Sequence, residues 1–179
     1  MLVMKPRFAL DLTDDAVSLL ERADGGWALV AKVPFDDTEL DGRLASLGKL
    51  ADEHAPDGFV SKLILPNSQI LYFEASAPGP DRATRRTQIR AALAGRTPYD
   101  VDDLVFDFTG SGQTVSVAVV ARITLQEAEA FADAKGFRPA AFVAVPEPGR
   151  FAGEPFFGLT ETAGNWLGDT GRYDRDQDP

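Results

Sequence analysis

Three carboxylates fall within five positions in "FALDLTDDAVSLLER" (8–22): Asp11, Asp14 and Asp15. An apolar run stops there and a second starts at Val17, so the chain turns at this point. A turn of this kind has three chemical options. It can cradle a phosphate if a backbone N–H approaches the anion closely, which glycine permits and the β-branch of Thr13 obstructs. It can hold a divalent cation through Asp11, Asp14 and Asp15. Or its side chains can satisfy the turn's own N–H groups. Asp14 and Asp15 weigh against a bare phosphate, because like charges about 4 Å apart cost roughly 1–4 kcal/mol in a well-screened setting.

The other titratable groups offer less. Asp100, Asp102, Asp103 and Asp107 crowd one stretch, where turn and strand-end chemistry accounts for the first three. A two-metal nuclease would combine Asp11 with carboxylates on later strands, for which Asp107 and Glu147 are loose candidates. His54 is the only histidine, and no Ser, Cys or Asp stands out as its partner in a dyad. It suits the C-terminal end of a helix, where a cation is favoured. The expectation is a protein with no catalytic residues, no metal ligands and no cofactor.

Positive charge is concentrated in "DRATRRTQIRAALAGRT" (81–97). Arg82, Arg86 and Arg90 recur every four residues and form one stripe on a helix, with Arg85 and Arg96 beside it. The guanidinium fork matches carboxylates. The stripe is either a solvated face paired with nearby Asp or a dock for an acidic or membrane-proximal partner segment, with Tyr99, Phe106 and Phe108 as its apolar anchor. Further on, Phe151, Phe156, Phe157 and Leu159 in "FAGEPFFGL" either cover a sheet edge or mark a contact site.

The whole chain has 179 residues, 44% of them apolar, and a net charge of −10. That charge disfavours nucleic acid, whose phosphates need a basic face. Cysteine is absent, which excludes disulfides and thiolate-bound zinc. The first residues read as no signal peptide, and no apolar run reaches the roughly 18 residues of a membrane span. A soluble, cytoplasmic protein is expected.

The elements that would position these residues follow from periodicity. Apolar strands are predicted at 7–12 and 16–23, then a hairpin at "DGG" and an alternating strand at 27–35. Asp36 or Asp37 would cap a helix over 38–54. "APDG" (55–58) breaks the chain before the apolar strand "VSKLILP" (60–66), which should lie parallel beside the first strand. The second half reads strand (70–76), helix (81–97), hairpin (104–110 and 114–122), helix (124–136, capped by Thr124 and stopped by Gly136) and strand (139–147). The class is α/β to α+β. Residues 1–66 form a βββαβ subdomain and 67–147 a ferredoxin-like βαββαβ subdomain with its own four-stranded sheet. A domain-closing segment (148–160) and a disordered tail or linker (161–179) complete the chain.

In this order the chain resembles the actin-like, ribonuclease H-like assembly proteins of bacterial pilus and secretion machines, PilM and the cytoplasmic domain of the type II secretion L protein. The resemblance rests on "ALDLTDDAVSLLERADGGW", "QIRAALAGRTPYDVDDLVFDF" and "VSVAVVARITLQEAEAFADAKGFRPAAFVAVPE" and covers about 1–147. Through its "FAGEPFFG" ending the chain is also similar to the opening part of longer alphaproteobacterial proteins. The resemblance implies half of an actin-like fold. Asp11 matches the family's phosphate-loop aspartate. Thr13 stands in place of Gly, Asp14 and Asp15 in place of small polar residues, and Ser18 where Lys is common. The resemblance therefore implies a degenerate nucleotide site and a non-catalytic scaffold. The alternative is an actin-like ATP-binding protein completed by another chain.

Overall fold

The computed structural model describes residues 5–55, 59–167 and 173–179. The "APDG" break therefore lies largely outside the described residues, as does 168–172 of the tail. Strands β1 (Phe8–Leu12), β2 (Ala16–Ala23) and β3 (Gly26–Pro34) form an antiparallel meander. Gly25 makes the tight turn between the last two at φ 80°, a conformation that costs other residues strain. Helix α1 (Leu40–His54) then crosses over to β4 (Ser61–Ile64), which pairs parallel with β1, as the apolar run predicts. Asp37 does not cap α1 directly. Its carboxylate accepts from the Glu39 N–H at 2.8 Å, and the helix starts after Glu39.

The small sheet holds β5 (Ile70–Ser76), β6 (Leu104–Thr109) and β7 (Thr114–Ala121) in the order β5-β7-β6, with α2 (Arg82–Leu93) on one face. Asp81 caps α2 by accepting the Thr84 N–H at 2.7 Å. Helix α3 (Arg122–Ala134) starts directly from β7, two residues before the expected cap Thr124, and carries no side-chain cap. Gly136, at φ 79°, ends it: the Phe137 N–H reaches back to the Ala132 carbonyl at 3.0 Å.

The last strand of the expected four-stranded ferredoxin-like sheet is elsewhere. Strand β8 (Pro139–Val143) pairs parallel with β4, and β9 (Phe156–Leu159) adds antiparallel to β8. The main sheet is thus six-stranded, in the order β3-β2-β1-β4-β8-β9, and the small sheet has three strands. Two physical demands put β8 there. Without it, β4 would leave a row of unpaired backbone groups, and all five β8 residues are buried, as for a strand covered on both faces.

One core lies between the main sheet, α1 and α3, built from Phe8, Leu10, Leu19, Leu44, Leu63 and Phe137 among others. Burying each such side chain contributes about 1.5–3 kcal/mol. Ile70, Ala118 and Val120 of the small sheet join this core, so the two sheets share it. The opposite face of the main sheet is different. Strand alternation places Ala9 there, with Ile64, Val143, Leu20, Trp27 and Phe156. Part of what covers it is the segment 173–179. The disordered tail expected over 161–179 is therefore structured in its described parts: Ala163–Leu167 forms a short helix α4, and Tyr173, Arg175 and Asp176 pack on the body. Its polar composition suggested disorder, but two of its charges, Arg175 and Asp176, meet the buried Asp107 and Lys62.

Candidate functional site

The β1–β2 turn closes on itself. The Thr13 hydroxyl accepts from the Ala16 N–H at 3.1 Å and from the Asp15 N–H at 3.4 Å, and the Thr13 N–H donates to the Ala16 carbonyl at 3.0 Å. The N–H groups of Thr13, Asp15 and Ala16 are thus satisfied within the turn. Asp14 accepts from the Ser68 hydroxyl at 2.6 Å. Asp11 pairs across the ladder with the buried Ser18, which itself faces Lys32 on β3. Burial pushes the Asp11 carboxyl up, and the Lys32 charge opposes that shift. Among the described residues no group of three or more His, Asp or Glu is placed to hold a metal. A cavity of about 510 Å³ opens beside the turn, lined by Asp11, Thr13, Asp14, Trp27, Val145 and Pro179.

The arginine stripe lies over the edge of the small sheet. The Arg82 guanidinium sits 4.2 Å from the Phe108 ring centre and reaches round the edge strand to Asp107 at 3.3 Å. Arg86 lies 4.6 Å over Phe106, and Arg90 pairs with Asp102 at 2.5 Å. Arg85 binds the carbonyls of Gly79, Ser111 and Gly112 at 2.8–3.0 Å, tying the helix to the hairpin loop. Phe106 and Phe108 are buried with Ile89 and Leu93 under α2, so they support the stripe from beneath. Tyr99 is exposed and lines a separate cavity of about 350 Å³ with Leu71, Arg96 and Leu104. Five of the six residues expected to bind a partner are therefore in two places: Arg82, Arg86, Phe106 and Phe108 at the β6 edge, Tyr99 past the end of α2. Arg90 lies between them, on Asp102.

Asp107 is the hub of the β6 edge. Besides Arg82 it accepts from Arg175 at 3.1 Å and from the Phe156 N–H at 3.0 Å. It links the small sheet, β9 and the segment 173–179. The other nuclease candidate, Glu147, is exposed and pairs only loosely with Arg150 at 3.9 Å. His54 faces Glu21 at 3.5 Å.

Sequence reasoning missed a buried polar cluster centred on Lys62. Lys62, on β4, is fully buried and donates to Glu154 at 2.5 Å and to Asp176 at 2.8 Å, with Trp27 4.8 Å away. Arg22 grips Asp176 with two nitrogens at 2.8 and 2.9 Å and lies 4.5 Å over Trp27. Burial pushes Glu154 up, against the hydrogen bond from Lys62. Burial also raises Asp176, but the bonds from Arg22 and Lys62 prevail and hold it at about 2. The signal was available: a lone lysine inside the continuous apolar strand "VSKLILP" must find a carboxylate.

Between the β6 edge and β9 runs a seam that the side chains do not fill. A cavity of about 340 Å³ is lined there by Arg82, Asp107, Phe108, Gly153 and Arg175, and a second of about 240 Å³ by Arg86, Phe106, Phe157 and Arg175. No helix among the described residues is long and apolar enough to cross a membrane.

No family model matches the chain, and no curated protein sequence matches it. Solved structures do. The chain is similar to the cytoplasmic domain of EpsL, an inner membrane component of the type II secretion system of Vibrio cholerae, with 17% identity and a TM-score of 0.59. That match covers 79% of this chain and 60% of EpsL's. It is also similar to a chain of the PilM-PilN type IV pilus biogenesis complex, with 19% identity, a TM-score of 0.57 and coverage of 79% and 48%. These likenesses show the fold, half of an actin-like domain, and the chain spans less than two thirds of either structure.

Proposed function

We propose that this chain is a non-catalytic, cytoplasmic scaffold that docks a protein partner in a bacterial envelope, pilus or secretion assembly. The observation that carries this reading is the incompletely filled seam between the β6 edge and β9, rimmed by Arg82, Arg86 and Asp107 over buried aromatics. Charge at a rim sets register and partner choice, and the cavities leave room for side chains from outside. The solved PilM structure is itself a complex with a second protein, PilN. The partner fits best as a segment with acidic residues, close to a membrane. The check is capture from the native host by wild type and by Arg86→Glu/Arg90→Glu, with captured proteins identified by mass. Wild type should retain an assembly component that the variant loses. Equal capture by both would remove the stripe from the docking surface, and no capture by either would end the scaffold reading.

The cavity beside Asp11 keeps one rival reading alive, ATP binding completed by another chain. The closed Thr13 turn opposes it. A ligand at 100 times its Kd adds about 2.7 kcal/mol to stability. Millimolar Mg-ATP should therefore leave the melting temperature unchanged, and a rise of several degrees would favour the rival.

A further inference from the structure

The segment 173–179 lies across the same seam. Tyr173 stacks on Phe156, with ring centres 5.6 Å apart and planes 27° apart, and Arg175 lies 4.5 Å over the same ring. Arg175 reaches Asp107, and Asp176 reaches Lys62 and Arg22. The Gln177 carbonyl accepts from the Glu154 N–H at 3.2 Å. Gly153 allows that approach: a Cβ there would stand 2.8 Å from the same carbonyl.

Each buried or half-buried charge on the body that this segment engages also has a body partner of its own, and the remaining one, Lys5, which meets Asp174 and Asp176 at 3.6 Å, is exposed to water. Asp107 keeps Arg82 and the Phe156 N–H. Lys62 keeps Glu154 and the Trp27 ring. Arg22 keeps the Pro6 carbonyl, at 2.9 and 3.1 Å, and Trp27. Lifting the segment would therefore leave none of these three charges stranded. The segment itself is seated less well. The Tyr173 hydroxyl is buried without a partner among the described residues, and the seam cavities of about 340 and 240 Å³ remain beside it. A buried hydroxyl left unbonded is a standing cost of the closed state.

We propose that residues 173–179 are a displaceable strap, and that the seam takes from its partner a non-helical segment of the same chemistry: an aromatic residue, a cation two positions later and a carboxylate next to that. The strap holds the seam until such a segment replaces it. This rests on the docking function proposed above and adds the partner's chemistry and its regulation. Because the strap is tethered, it competes at a millimolar-range effective concentration, so a free segment binds wild type weakly and a strap-released chain well.

The probe is a fluorescein-labelled synthetic peptide with the strap's sequence, Tyr-Asp-Arg-Asp-Gln-Asp-Pro. It is titrated against the full chain and against Arg175→Glu/Asp176→Arg, whose strap charges repel the seam. The variant should bind the peptide saturably and at least about tenfold more tightly than wild type. A peptide with its Arg and the following Asp exchanged should bind neither. No saturable binding to the variant, equal binding to both chains, or equal binding of both peptides would overturn the proposal. If the variant does not fold, hydrogen exchange of the wild-type chain decides. Excess peptide should speed exchange at 174–178 while β1 and β4 stay protected, and unchanged exchange would overturn it. Neither assay needs the host partner. Peptide displacement with empty host capture would sink the scaffold reading, and the reverse result would sink the strap.

Discussion

Of the cations that rest on aromatic rings in this molecule, two sets behave differently. On α2, Arg82 and Arg86 cover Phe108 and Phe106 from the solvent side, and Arg90 meets Asp102 twelve positions away. Across the main sheet, Lys62 and Arg22 lie over Trp27, and Lys62 finds carboxylates 92 and 114 positions away. The first set is exposed and keeps most of its water. The second includes a lysine with no exposure at all. Exposed pairs contribute about 0–1 kcal/mol, whereas removing one member of a buried pair costs about 3–5 kcal/mol because the other charge is stranded. The arginine stripe stands out in a helical projection, yet of its three members only Arg82 meets a buried carboxylate, Asp107. The single lysine is inconspicuous and ties four distant parts of the chain together.

The comparison is tested hardest at Lys62. Lys62→Met should lower stability by about 3–5 kcal/mol in urea unfolding, since Glu154 is left buried and unpaired. Adding Glu154→Gln should recover most of that loss. A single-variant cost no larger than that of a surface change would make the two regions equivalent. A smaller effect is expected from acid. Asp176 is held at about 2 against its ordinary 3.8, so its contribution is present above pH 3.8 and is lost as pH falls through about 2. Glu154 is shifted the opposite way, so its ionisation opposes folding as pH rises above 4.5 and its protonation partly offsets the acid loss. Trp27 fluorescence in a Trp166→Phe background should show its main change between roughly pH 4 and 2. Asp176→Asn should flatten that transition, and an unchanged transition would place its origin elsewhere. The smallest effect belongs to the stripe. Arg86→Glu/Arg90→Glu should shift the unfolding free energy by less than about 0.5 kcal/mol per site, so lost capture by that variant would report on docking. A larger shift would mean that the stripe supports the fold.

Much of the local structure was legible. The "DGG" hairpin, the Asp81 cap and the Gly136 stop each depend on a few adjacent residues and lie where their chemistry requires. The β1–β2 turn was legible in part: its side chains were expected to satisfy its own N–H groups, but that role was given to the aspartates and the Thr13 hydroxyl takes it. The Thr124 cap failed because β7 continues into α3 without a break, so the helix starts where the strand stops. The anchor role of Phe106 and Phe108 depended on an open side of β6, and α2 lies on that side.

Periodicity and turn chemistry, properties of windows a few residues long, determined which segments are strands and helices and that the β1–β2 turn holds no glycine. The sheet joined by β8, the use of polar residues 173–179 as a strap and the carboxylates that meet Lys62 were decided only in three dimensions. Each depends on a cost that exists only after collapse. An unpaired β4 edge and a desolvated ammonium must be satisfied by whatever the rest of the chain brings within reach.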